Sequence, residues 1–307
     1  MDVSPSPAVV LRPIDSMAHT LPLMLALEML TWPLLAATFV FGAMVGSFLN
    51  VCIHRIPAEE SVVHPRSRCP KCETPIAWYD NVPIVSWLLL RARCRRCGEP
   101  IAVRYPMVEA TAGVLAVLAL VHSGPTVQGL SAFAFTAALL LITFIDLDHL
   151  FIPDEVSLPG IVLGLLLSLV PGGLTLPDAL GGVLLGGGIL WAIAWGYQRL
   201  TGIEGLGFGD VKLLAMIGAF VGWQGIPLVI LVASVTGTIA GVLVIFSRRG
   251  RAGVRRVRRM LGSRAVLPFL RRLGRTTEIP FGPFLALGAL VVLYLPNPPA
   301  WLALLAP

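Results

Sequence analysis

Two groups of side chains in this sequence have the type and spacing to do chemistry. One is a set of carboxylates embedded in apolar sequence. The first acidic stretch reads Phe144-Ile145-Asp146-Leu147-Asp148-His149-Leu150-Phe151-Ile152-Pro153-Asp154, and the second Glu204-Gly205-Leu206-Gly207-Phe208-Gly209-Asp210-Val211-Lys212. Ionisable groups inside membrane-length apolar runs are costly and mark functional positions. Two carboxylates about 3 Å apart cannot both ionise, so one serves as acid and the other as base, which is the machinery of aspartic proteolysis. Gly207 and Gly209 flank Phe208 and permit close approach of a backbone. A substrate peptide can pair as a strand with such a loop. Read singly, Asp148 and Asp154 are also solvated loop acids or helix caps, and Asp210 a cap. No Gly-x-Ser-x-Gly or His-Glu-x-x-His stretch offers a rival hydrolase.

The second group is Cys69-x-x-Cys72 and, after 21 residues, Cys94-x-x-Cys97. Four thiolates at this spacing suit a tetrahedral zinc site with no open position for water, hence a structural metal. The alternative is unliganded or redox-active thiols. Cys52, at the end of an apolar run, reads as a small buried residue.

These groups need elements to position them. Of 307 residues, 56% are hydrophobic and 13% charged, against about 25% charged in a soluble domain. The mean hydropathy is +0.83. This excludes a disordered chain and an ordinary soluble enzyme. Apolar runs predict eight spans near 30–52, 107–122, 128–146, 156–171, 179–198, 210–222, 226–246 and 281–295, each built on roughly 20 apolar residues or fewer. Nine Lys/Arg fall in 53–106 and eleven Arg in 247–279. With eight spans and the N-terminus outside, 22 of the 23 basic residues share one side, which Lys/Arg-rich loops make cytoplasmic. The net charge of +6 is thereby a topology signal, and no aromatic-interleaved groove points to nucleic acid. Asp146 and Asp210 then lie at one membrane depth. Asp210 opens a helix and Asp146 closes one, so the helix dipoles predict Asp210 as the anion and Asp146 as the proton holder. Lys212 is a further influence on Asp210. Glu28 lies near the outer end of the first span, where it can snorkel. Glycines 181, 182, 186, 187 and 188 suit close helix packing. Val254, Val257 and Leu261 recur at helical spacing among arginines, as in a basic helix lying on anionic lipid; a protein-docking surface is the alternative.

The chain resembles the type IV prepilin peptidases, membrane aspartic proteases of the GxGD type. The resemblance rests on Gly46-Ser47-Phe48-Leu49-Asn50-Val51-Cys52-Ile53-His54-Arg55-Ile56-Pro57, the two cysteine pairs, Arg104-Tyr105-Pro106-Met107-Val108-Glu109, both acidic stretches, and Ile279-Pro280-Phe281-Gly282-Pro283-Phe284. It implies an all-α polytopic protein of the bacterial inner membrane, with a small four-cysteine domain after the first span. It maps the catalytic pair to Asp146 and Asp210, with Asp148 the rival for the first position. It implies removal of a short basic leader after a Gly from prepilins and pseudopilins. It also implies N-methylation of the new terminus by S-adenosylmethionine, with the segment 46–109 as its place. Glu109 is there either a functional acid or a polar tie between helices. The expected parts are an extracytoplasmic tail (1–29), the first span with the cysteine domain (30–106), and the peptidase core (107–307) carrying the basic insert 247–279. From another class, a proton- or metal-coupled transporter also uses intramembrane acids, but no inverted repeat is visible. A non-catalytic zinc scaffold leaves the paired acids unexplained.

Overall fold

The computed structural model describes residues 17–202, 207–261 and 280–295, with side chains left aside over 17–30 and 244–261. The readings at Glu28, at Glu204–Leu206, over the tail before residue 17 and over 262–279 lie outside the described residues, as do the side chains of Val254, Val257 and Leu261.

The described chain is helical, with no strands longer than isolated bridges. The helices are α1 (Met17–Arg55), α2 (Val85–Leu89), α3 (Arg104–Ser123), α4 (Val127–His149), α5 (Asp154–Leu167), α6 (Leu176–Thr201), α7 (Phe208–Leu261) and α8 (Gly282–Tyr294). Five of them, α1, α3, α4, α6 and α7, are long and apolar enough to cross a membrane. In a bilayer every backbone polar group must be satisfied within its own segment, and helices do this.

The spans expected at 210–222 and 226–246 share the single long helix α7, which breaks at Gly222 (φ 74°, ψ 171°). The contacts show that α7 folds back there. Descending from Gly222, the first arm packs along α6: Gly182 lies against Gly218 and Gly186 against Leu214. The second arm runs the other way along α8, with Gly225 at Val292, Val229 at Gly288, and Gly237 at Phe284. A left-handed backbone at the turn suits Gly. With α5 and α8, shorter at 14 and 13 residues, the described residues make eight passes between two ends. α1 is longer than the expected 30–52 and reaches Arg55.

At one end lie Asp146, Asp210, the cysteine segment, Arg199 and Lys212. At the other lie Gly222, Leu174, and the His122–Tyr294 ring contact (5.5 Å). Asp178 pins the second end: it accepts from Trp223 Nε1 and Gln224 Nε2, both at 3.0 Å, and its backbone N–H donates to the Thr175 hydroxyl that caps α6.

Small residues set the helix spacing, as expected of membrane packing. A Cβ on Gly182 would fall 2.1 Å from the Gly218 carbonyl oxygen, and one on Gly186 2.5 Å from that of Leu214. Gly188, by contrast, faces open space. Gly42 and Gly46 bring α1 against α3 in the same way. Two apolar clusters result, one of α1 and α3, the other of α6, α7 and α8, and α4 contributes to both. Asp146 is in the last turn of that shared helix.

Candidate functional site

The end of α4 builds the first half of the acidic site. Leu150 closes the helix in the left-handed conformation (φ 59°), its N–H bonded to the Asp146 carbonyl. Ile152 turns inward and Pro153 starts α5. The first turn of α7 builds the second half and carries Asp210. Gly209 lets the two halves meet, since a Cβ there would lie 3.0 Å from that of Ile152. Gly207 has no such neighbour; its nearest atom is the Asp210 carboxylate at 3.9 Å. The two glycines of the motif therefore differ: Gly209 is needed for packing, and Gly207 leaves open backbone beside the acid.

Asp146 and Asp210 line one cavity of about 470 Å³, together with Leu150, Ile152, Asp154, Glu155, Gly207 and Lys212. Asp146 is 5% exposed. The two are near enough for charge on one to act on the other. Asp148, two residues on, points elsewhere and is ion-paired to Arg104 at the start of α3. That guanidinium also stacks on Phe144, 4.9 Å from its ring centre. Lys212 reaches Asp154, with both carboxylate oxygens at 2.7 Å, so its charge is engaged at the cavity rim.

One contact has no counterpart in the sequence reading. The Gly282 N–H, first in α8, donates to Asp146 Oδ2 at 2.9 Å. Asp146 thus stands at the end of α4 and also at the start of α8, while Asp210 stands at the start of α7. Both carboxylates face a helix N-terminus, where anions are favoured. The asymmetry expected from helix ends alone does not survive this geometry. A backbone donor has no residue signature, which is why only the structure reveals it.

The four cysteines form a second site between α1 and α3. Their sulfurs all lie within 4.8 Å of one another, a donor set that could hold a metal ion. The segment is a structural duplicate at an offset of 25 residues: Arg-Cys-x-x-Cys-x-x-Pro-Ile occurs at 68–76 and again at 93–101. In each copy the first Cys N–H bonds the carbonyl five residues on (Cys69 to Thr74, Cys94 to Glu99). Each is closed by one bridge, Arg68 to Pro75 and Arg93 to Pro100. Each has a left-handed residue after its second cysteine, Glu73 (φ 55°) and Gly98 (φ 70°). The repeat was legible in the sequence but masked by the differing residues between its fixed points. The thiols differ: Cys97, against a lowering Glu99 amide, is raised to about 11 by desolvation and the neighbouring thiols, while Cys72 and Cys94 are lowered. Cys72 is lowered to about 6, by the Thr74 hydroxyl first and then its amide. Cys94 is lowered by the amides of Cys97 and Arg96.

Glu109, in the second turn of α3, is buried and tied. Its Oε2 accepts the Ile84 N–H at 2.7 Å, and Ser47 of α1 also bonds the carboxylate. Gly46 lies directly against the Glu109 backbone, and Asn50 bonds the Tyr105 carbonyl at 3.1 Å. Ile84 is the centre of a tight turn (φ 61°, ψ −50°) closed by Val85 N–H to Pro83 C=O, the rare and strained γ form. Glu109 therefore joins α1, α3 and the cysteine segment. Cys52 is buried in the α1–α3 cluster.

A bundle of membrane-crossing helices with two acids in one cavity at its end defines a polytopic membrane protein with an acidic site. The profile described as Bacterial Peptidase A24 N-terminal domain matches residues 40–123, and that of the Type IV leader peptidase family matches 133–242. A prepilin leader peptidase/N-methyltransferase of Aeromonas hydrophila is 37% identical over 301 residues, covering 90% of this chain and 93% of the relative. The protein of that name from Myxococcus xanthus (strain DK1622) is 44% identical over 221 residues, covering 71% of this chain and 64% of the relative. One from Burkholderia pseudomallei (strain 1026b) is 36% identical, covering 86% of each. No solved structure matches. The chain belongs to the type IV leader peptidase family, and it is an enzyme.

Proposed function

We propose that this enzyme removes the short basic leader of type IV prepilins and pseudopilins after a Gly, by aspartic catalysis, and then N-methylates the exposed terminus. The observation that carries this is the single cavity lined by Asp146 and Asp210. With one proton between them, the ionised acid takes a proton from a water as that water attacks the peptide carbonyl. The protonated acid donates its proton to the carbonyl oxygen. The other acid, now carrying the proton taken from water, passes it to the leaving amine, and the first acid recovers a proton as the gem-diol collapses to the new carboxyl group. Gly207 offers backbone along which the substrate strand can lie. With Asp154 paired to Lys212, Glu155 and the charge on the acid pair leave the lining an excess of negative charge, which complements a basic leader. The Lys/Arg-rich loops at this end support a cytoplasmic position for it in an inner-membrane topology. The division into tail (1–29), first span with cysteine domain (30–106) and peptidase core (107–307) belongs to the same reading.

The purified protein in detergent, given a short-leader pilin and S-adenosylmethionine, is expected to shorten the pilin by its leader and to add one methyl group to the new end. An intact pilin mass after prolonged incubation rejects the protease reading. The Glu109 carboxylate is tied to the Ile84 N–H and to Ser47, which favours the polar tie between helices, and we assign no step of methyl transfer to it.

We read the duplicated cysteine segment as a zinc site held by Cys69, Cys72, Cys94 and Cys97. Bound there, zinc would supply a structural cross-link to a segment with little core of its own. In Cys72→Ser the expected outcome is loss of bound zinc by elemental analysis and proteolytic opening between residues 60 and 103. Unchanged zinc content and protection reject the assignment.

A further inference from the structure

The segment between the two cysteine pairs exposes apolar side chains that no described residue covers. Trp78 is 76% exposed, Leu88 61% and Leu89 77%, beside the exposed Val82 and Val85. They are not on a loose loop. Buried Ser86 accepts from the Val82 N–H and donates to the Tyr79 carbonyl, Trp87 Nε1 bonds the Ile101 carbonyl at 3.1 Å, and Arg95 grips Asp80 through two hydrogen bonds. The patch is held rigidly outward.

Its depth identifies what covers it. The Ile84 amide meets Glu109, five residues inside α3 from Arg104. At 1.5 Å per residue, that is about 7.5 Å below the start of α3. Glu109 in turn lies against Gly46, nine residues before the α1 end at Arg55, or about 13.5 Å along that helix. The start of α2 is therefore anchored at the second turn of α3, below the polar ends of α1 and α3. This is the depth of the headgroup–acyl boundary, where interfacial elements bury about 5–10 Å. Val103, the residue before α3, and Met107 and Val114 within it are likewise exposed. Directly after the patch come Arg91, Arg93 and Arg96, all exposed and without an ion-pair partner among the described residues.

We propose that the segment from Trp78 to Arg96 is a lipid-binding foot: Trp78, Val85, Leu88 and Leu89 enter the leaflet, and Arg91, Arg93 and Arg96 bind the phosphates of anionic lipid. Aromatic residues and arginines at this level are the usual interfacial anchors. The foot sets the height and tilt of the cysteine segment over the bundle, independently of peptide cleavage.

The test uses the full chain in nanodiscs of phosphatidylethanolamine and phosphatidylglycerol. A benzophenone amino acid replaces Leu89 in one protein and Glu73, at the tip of the first cysteine repeat, in another. After irradiation, intact mass is expected to show lipid adducts several-fold more abundant at 89 than at 73. Replacing Arg91, Arg93 and Arg96 by Gln is expected to lower the share of phosphatidylglycerol among those adducts, with zinc content unchanged. Equal labelling at both sites, or cross-links from 89 to a second copy of the chain or to added prepilin in place of lipid, overturns the proposal.

Discussion

Asp146→Asn and Asp210→Asn are each expected to abolish leader cleavage, by at least about 10³-fold in kcat/KM, or roughly 4 kcal/mol of transition-state stabilisation. Asn keeps the volume and a hydrogen-bonding carbonyl, so Asp146→Asn can still accept the Gly282 N–H. What it cannot do is carry or take the mobile proton. The two acids act as one unit, so the double variant is expected to be no slower than either single one, as for residues whose effects are grossly non-additive. Asp148→Asn is the internal comparison. Its partner is Arg104, outside the cavity, and losing a partly exposed ion pair costs about 1 kcal/mol or less. Cleavage by Asp148→Asn is expected to stay within a few-fold of the parent. Mass-spectrometric initial rates with a pilin substrate, beside thermal melts of each variant, decide the matter. Robust cleavage by either cavity variant, or an inactive but well-folded Asp148→Asn, removes the assignment of the pair.

The second large effect is expected at a residue with no side chain. In Gly282→Ala the added Cβ would lie 2.6 Å from Asp146 Oδ2 and 3.3 Å from its Cγ. Either the carboxylate rotates away or α8 shifts, and the 2.9 Å hydrogen bond is lost in both cases. A hydrogen bond to a charged group is worth about 1.5–3 kcal/mol, and a misplacement of about 1 Å at a reacting group costs on the order of 10²-fold. The expected result is a kcat lower by about that factor, with KM little changed. Gly288→Ala separates this from a general disturbance of α8. Its Cβ would lie equally close, 2.6 Å, but to the Val229 carbonyl oxygen. It is therefore expected to lower the melting temperature, in line with overpacking costs of about 1–3 kcal/mol, while the residual folded enzyme keeps its kcat. If Gly282→Ala loses stability and activity in the same proportion as Gly288→Ala, the positioning role of the Gly282 amide is wrong.

These contrasts mark what the sequence can and cannot reveal. The pair of acids was legible because charge inside apolar sequence is costly and therefore conspicuous. The preference for Asp146 over Asp148 rested on the family motif, and the ion pair that turns Asp148 to Arg104, 44 residues away in sequence, was not legible. The reach of Lys212 to Asp154 across 58 residues was hidden for the same reason. The spans at 210–222 and 226–246, and with them the reversal between, were legible from apolar length and an interrupting glycine, but not that both belong to one helix broken at Gly222 with its turn pinned by Asp178. The fourfold cysteine set was plain from spacing. The strained turn at Ile84, and Glu109 as its anchor, were not, since a γ-turn around an isoleucine follows no compositional rule.

The break at Gly222 has a mechanical consequence. Its first arm carries Asp210, and its second packs along α8, whose leading amide holds Asp146. One acid is thus mounted on a tip of the doubled helix, and the other, on α4, is held by the helix packed along its second arm, with the pivot at the opposite end. The angle at that pivot fixes the gap between them, so Asp178, Trp223 and Gln224 gauge the spacing of two carboxylates they never touch.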